Sequence, residues 1–189
     1  MSRRGVLSED DFATRFQEGA RFLWCIAYGI LMDRNLAEDA VQEAALVGLR
    51  KLKQFDPDTE FKAWMGQIVR FSALNMARRK KRQRASADAL ELIEADTHSS
   101  HLHPHAIISG KGQLFSDIES FDDQTRAALL RLESDARACL LLRTVEDYSY
   151  RKIGETLNMA EGTVMSHVHR ARKRMRSWLT ETSTKEATV

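Results

Sequence analysis

The sequence predicts an all-α protein: two small helical domains joined by a flexible acidic linker, the C-terminal one a helix-turn-helix. Three observations carry this. Apolar residues recur every three or four positions over most of the chain, the spacing that gathers them on one face of a helix. Glycine (9) and proline (2) are scarce among 189 residues, and 43% are hydrophobic, so little interrupts those helices. Charge is segregated. The net charge is only +2, yet Arg78 to Arg84 (RRKKRQR) and Arg170 to Arg176 (RARKRMR) are strongly basic, whereas Ala85 to Thr125 holds eight acidic residues against one lysine, Lys111. Two cationic patches flanking an acidic segment suit a polyanion gripped at two places. The chain divides into a domain over 1–84, a linker over 85–121, a second domain over 122–180 and a disordered tail over 181–189.

Ser8-Glu9-Asp10-Asp11 opens the first domain as a capping-box-like start, with an acidic residue three positions after the serine. Phe12, Phe16, Phe22, Leu23, Ile26, Ala27 and Ile30 then supply the buried faces of one or two helices. Asp33-Arg34-Asn35 reads as a turn, with Asn35 capping the next helix and Glu38 closing a second box. That helix, Leu36 to Leu52, has Val41, Ala45, Leu49 and Leu52 as its inner stripe and Asp39, Gln42 and Glu43 on its outer one. Asp39 and Glu43 stand four apart, so two like charges crowd at a cost of a few tenths of a kcal/mol, roughly. An acidic face fits docking to a basic protein surface. A solvated face favoured by the dipole near the helix N-terminus is the plainer account, and alone it suffices.

Gln54 to Glu60 is a loop around Asp56-Pro57. A further helix runs from Phe61 to Arg78 with Phe61, Trp64, Met65 and Ile68 inward and a break expected near Arg70 to Ser72. It ends in Arg78, Arg79, Lys80, Lys81 and Arg82. Aromatic residues beside such cations suit unpaired nucleic acid, because bases stack while phosphates are neutralised. Trp64 reads as core; Phe71 fits either role.

The linker carries His98, His101, His103 and His105, a compositional hint of metal binding. No cysteine or paired acid accompanies them and Pro104 disfavours a regular scaffold, so no metal site or cofactor is assigned. Helices then follow over Asp122 to Arg131 and Ser134 to Val145, with Ala127, Leu130, Cys139, Leu140 and Leu142 on apolar faces.

Tyr150 to Leu157 forms another short helix through Ile153 and Leu157, interrupted at Asn158-Met159-Ala160. The second run has Val164, Val168, Ala171, Met175 and Trp178 inward and Ser166, His167, His169, Arg170, Arg172, Lys173 and Arg174 outward. Two helices across a tight turn, the second with a basic outer face, read as a helix-turn-helix whose second helix enters a major groove. An ordinary helical hairpin with a solvated basic face has the same spacing.

Cys25 and Cys139 sit in separate apolar runs, as expected of two reduced, buried thiols. MSRRGVLSEDDF lacks the apolar core of a signal peptide, and the longest apolar run, Leu23 to Met32, is too short to span a bilayer. A cytoplasmic protein without membrane insertion is expected.

Two blocks together resemble the bacterial RNA polymerase sigma factors of the sigma-70 class, extracytoplasmic-function subfamily. They are AEDAVQEAALVGLRKL with FKAWMGQIVRFSALNMARRKKR, and CLLLRTVEDYSYRKIGETLNMAEGTVMSHVHRARKRMR. The resemblance covers about Phe22 to Arg82 and Leu129 to Leu179. It implies that Asp39, Gln42 and Glu43 bind the β′ clamp helices of core polymerase, with the β flap as a second polymerase contact. It assigns Phe71, Asn75, Arg78, Arg79 and Arg82 to recognition and melting of the promoter −10 element. It assigns Ser166, His167, His169, Arg170, Arg172 and Lys173 to the −35 element, and implies an anti-sigma factor as a possible partner. The linker would thread the RNA-exit path of polymerase.

Three departures from the family pattern stand out, and the first two bear on specificity. Phe71 stands where the family usually has a polar residue, which suggests stacking on or wedging against a flipped base. Met165 and His167 stand where basic residues are frequent, which weakens phosphate contacts. Glu133 replaces a common proline before Ser134, without functional effect expected.

No nucleophile–base pair, phosphate-binding glycine loop or metal motif stands out, so no catalytic residue is assigned and an enzyme is the weakest class. The competing reading is a stand-alone helix-turn-helix regulator, or an anti-sigma-like module, whose N-terminal half dimerises. Such a regulator would bind palindromic DNA without polymerase.

Overall fold

The computed structural model describes residues 7–90 and 121–186, with side chains over 7–83 and 121–180. Among the described residues it is all-helical: α1 (Glu9–Leu31), α2 (Arg34–Arg50), a 3₁₀ turn (Leu52–Gln54), α3 (Phe61–Leu90), α4 (Asp123–Leu130), α5 (Ser134–Thr144), α6 (Tyr150–Leu157) and α7 (Glu161–Glu186). α3 and α7 thus continue past the domain edges read at 84 and 180. The segment holding His98 to His105 lies outside the described residues.

α1 is one unbroken helix because its start and its burial agree. The Ser8 hydroxyl accepts from the Asp11 N–H (3.1 Å), the first half of a capping box, while the Asp11 carboxylate accepts from the Ser8 hydroxyl (2.7 Å) where the box would have it take the Ser8 N–H. From Phe22 to Ile30 every residue is buried. A helix apolar all round belongs at the centre of a fold, and α1 packs against α2, α3 and α5.

α2 corrects two expectations. Its cap is Asp33, whose carboxylate accepts from the Leu36 N–H at 3.2 Å, not Asn35. Glu38 pairs with Arg34 at 3.0 Å instead of closing a box. The buried face is made of small residues, Ala37, Ala40, Ala44, Ala45 and Gly48 with Val41. A Cβ at Gly48 would lie 2.7 Å from the Met65 sulfur, so this face fits only at close range. Leu49, expected inside, is therefore left at the surface with Leu46.

α3 has no break near Arg70 to Ser72; Val69, Ser72 and Ala73 are buried and hold the helix against its neighbours. Phe61 and Met65 are buried, and Trp64 completes an aromatic cluster with Phe55 and Phe61. In the second half, Asp122 caps α4 and Ser149 caps α6. Ala127 and Leu130, expected on an apolar face, are exposed (Leu130 by 56%), because α4 turns Ala128 and Leu129 inward.

The two halves meet in one body through α1 with α5 and α3 with α6. A Cβ on Gly29 would come within 2.7 Å of the Ala138 Cα, so the helices cross there almost backbone to backbone. Phe22 stacks on Tyr148 with ring centres 4.6 Å apart. Ion pairs Arg21–Glu146 (2.9 Å) and Arg70–Asp135 (3.0 Å) flank the contact, and the Gln67 amide donates to the Glu155 carbonyl (3.1 Å).

Candidate nucleic-acid interface

Three surface stripes stand on α2, α3 and α7. On α2, Asp39, Gln42 and Glu43 lie side by side at helical spacing, each half-buried. Leu46, 49% exposed, and Leu49 continue that side of the helix. An acidic patch running into bare leucines is suited to another protein's surface. The leucines were missed from sequence because Leu is normally counted as core. The run of alanines beside them was the signal that the core was already supplied.

On α3, Trp64, Ile68, Phe71, Asn75, Arg78, Arg79 and Arg82 follow one side of the helix. Phe71 is 65% exposed, Asn75 is half-buried, and the three arginines are exposed. Burying Phe71 would have been favourable by about 1.5–3 kcal/mol, so nothing in the chain's own packing accounts for it here. The basic run is not uniform: Lys80 turns back to the Asp33 carboxylate at 3.1 Å. Burial raises the Asp33 carboxyl, but hydrogen bonds from the Leu36 N–H and Lys80 outweigh it and hold the group below the usual carboxylate range.

On α7, Val164, Val168 and Ala171 are buried against α5 and α6, which fixes the outward residues. Ser166, His169, Arg170, Arg172 and Lys173 are exposed, and His167 is half-buried. The α6–α7 turn is set by Asn158, in the left-handed region at φ 53°, and by Gly154, where a Cβ would meet the Met159 carbonyl at 2.7 Å. Two outward groups are folded onto their own helix. The Ser166 hydroxyl donates to the Gly162 carbonyl (2.9 Å) and the Arg170 Nε–H to the Ser166 carbonyl (3.2 Å). Arg176, outside the residues assigned from sequence, joins His169, Arg172 and Lys173 along one groove.

The thiols are free and buried. Burial, with the Glu146 carboxylate nearby, raises Cys25 far above the ordinary thiol range; burial pushes Cys139 up to about 12. Among the described residues, no group of three or more His, Cys, Asp or Glu is placed to hold a metal, and no helix is long and apolar enough to cross a membrane.

The comparisons place names on this arrangement. The family model for Sigma-70 region 2 matches residues 16–83, and that for Sigma-70, region 4 matches residues 122–175. The RNA polymerase sigma-H factor of Pseudomonas aeruginosa is 30% identical over 145 residues, 75% of this chain and 72% of the relative. The ECF RNA polymerase sigma factor SigE of Mycolicibacterium smegmatis is 30% identical over 164 residues, 86% of this chain; the match spans 59% of that longer relative. In fold, the chain is similar to the sigma factor RpoE solved with the anti-sigma factor NepR from Bartonella quintana. The TM-score is 0.66 at 23% identity, covering 90% of this chain and 98% of that one.

Proposed function

We propose that this chain, which belongs to the extracytoplasmic-function group of the sigma-70 family, binds core RNA polymerase through α2 and directs it to promoters through α3 and α7. The observation that carries the reading is the order of three exposed stripes on one chain: acidic and apolar on α2, aromatic and cationic on α3, polar and cationic on α7. Asp39, Gln42 and Glu43 are the contact to the β′ clamp helices. Phe71, Asn75, Arg78, Arg79 and Arg82 take the melted −10 strand, where an exposed aromatic offers a stacking platform and arginines neutralise phosphates. Ser166, His167, His169, Arg170, Arg172 and Lys173 address the −35 duplex from a major-groove helix. The chain supplies specificity and no catalytic step of its own, works in the cytoplasm where polymerase is, and is open to capture by an anti-sigma factor.

A dimeric regulator is not favoured, because the half it would use for dimerisation is the one that matches region 2.

Run-off transcription with purified core polymerase on a promoter library tests the reading. Initiation should depend on the chain and disappear in Asp39→Arg/Glu43→Arg. Specific palindrome binding by the chain alone, with no initiation when core is supplied, would overturn it.

A further inference from the structure

We propose that Met165 is a specificity-determining residue of the −35 contact: its thioether packs on the C5-methyl group of a thymine in the major groove, and the bare backbone at Gly162 gives that base room to approach. The inference rests on the reading of α7 as the helix that addresses the −35 duplex.

The first observation is that the fold makes no use of this side chain. Met165 is 48% exposed, whereas Met159 and Met175 pack against the core. Val164 and Val168 are buried and fix the rotation of α7, so Met165 cannot turn inward. A long apolar side chain left at the surface forfeits the favourable burial that its neighbours gain. It recovers that burial only against something outside the chain.

The second observation is what stands beside it. Gly162 and Met165 lie one turn apart on α7, at i and i+3. A Cβ built on Gly162 would meet nothing within 4 Å, and among the described residues no glycine has a positive φ. Neither crowding nor backbone conformation calls for glycine there, and within a helix it is a poor choice against alanine. What it supplies is an open surface at backbone level, as close approach to a ligand requires. The Ser166 hydroxyl has given its proton to the Gly162 carbonyl at 2.9 Å, and a thioether has no proton to give. This side of the helix therefore presents an apolar group, not a donor.

The third observation is position along the helix. His169, Arg172 and Arg176 follow Met165 at i+4, i+7 and i+11 on one side, all exposed. Arg176 stands about 16 Å beyond Met165, further than the roughly 12 Å width of a major groove. With the N-terminal turns of a reading helix inside the groove, the arginines come to the phosphate rim and Met165 to the base edges.

The chemistry of those edges selects thymine. Guanine and adenine present N7 with O6 or N6, and cytosine presents an N4 donor. Such edges call for donors or strong acceptors, and a thioether is neither. Thymine adds a methyl group to its edge. 5-Methylcytosine carries the same methyl, so the site should accept it in thymine's place.

Holoenzyme formed from the full chain and core polymerase is offered promoters in which each −35 thymine, on either strand, is replaced singly by deoxyuridine. That base lacks only the methyl. Initiation at limiting holoenzyme should fall about fourfold at one position, the ratio that one buried methyl group sustains. With cytosine at that position, 5-methylation should return a similar factor. Met165→Leu should keep both responses, and Met165→Ala should lose them while retaining the guanine preference set by Arg170. Wild-type initiation indifferent to the methyl at every −35 thymine would overturn the proposal. So would an equal response in Met165→Ala, or a preferred −35 element without an A·T pair. Initiation on no template, the unmodified one included, would overturn the promoter reading and this inference with it. Initiation that ignores the methyl overturns this inference alone.

Discussion

The two cationic helices carry similar charge and leave very different chemistry exposed. α3 offers a bare Phe71 in line with Asn75 and the arginines 78, 79 and 82. α7 offers a hydroxyl, imidazoles and cations, with Met165 as its exposed apolar residue. An aromatic face engages bases only when they are unstacked, whereas hydrogen-bonding groups on a helix read base edges inside an intact groove. On the proposed assignment, charge alone does not divide the labour; the groups between the charges do.

The largest effect that would break the comparison is at Phe71. Phe71→Ala should lower initiation roughly 10- to 100-fold on duplex promoters, given about 1–3 kcal/mol for each stacked base. The loss should largely vanish on templates already unpaired at −10. An equal loss on both templates in run-off assays would place Phe71 outside melting.

Arg170 tests the opposite side. Arg170→Ala should remove about 1–3 kcal/mol of preference for guanine at one −35 position, measured by competition among −35 variants. Pre-melting at −10 should not restore it. Because Arg170 must first leave the Ser166 carbonyl, the lower part of that range is expected.

A smaller effect sharpens the contrast in salt dependence. Removing one phosphate contact should reduce the slope of log K against log salt by about 0.9 for Lys173→Ala on duplex and about 0.7 for Arg79→Ala on single strand.

The smallest effect is on stability and concerns the tie between α3 and the start of α2. Asp33→Ala should cost about 1 kcal/mol through its lost cap, or about 2–4 °C in Tm for a chain of this size. The folded-state pKa of Asp33 lies below its unfolded value. Its contribution is therefore full above the unfolded carboxylate pKa, about 3.9, and is lost as pH falls through the lower folded value. The Tm difference between wild type and variant should close over that acid window.

Much of this molecule was legible along the chain. Ser8 with Asp11, the bounds of α6, the start of α7 and its inward valines follow from capping chemistry and periodicity, which depend on residues within one or two turns. The cationic and acidic stripes followed for the same reason. Errors arose where two local solutions compete. Asp33 and Asn35 are both good caps, and Asp33 prevails because its carboxylate serves the Leu36 N–H and Lys80 together.

What only the tertiary structure decided involves partners far apart in sequence. Periodicity says that a helix has an apolar face but not how close its partner comes. The alanine and glycine face of α2 could seat against Met65 and Phe12 only at short range, and that choice left Leu46 and Leu49 bare. Nothing near Arg137 marks it for burial; its partners at Gly29 and Ile30 stand 108 and 107 residues away. A sequence pattern records the contrast between a helix and its surroundings, while the union of the two halves depends on matched shape and on carbonyls that every residue carries alike.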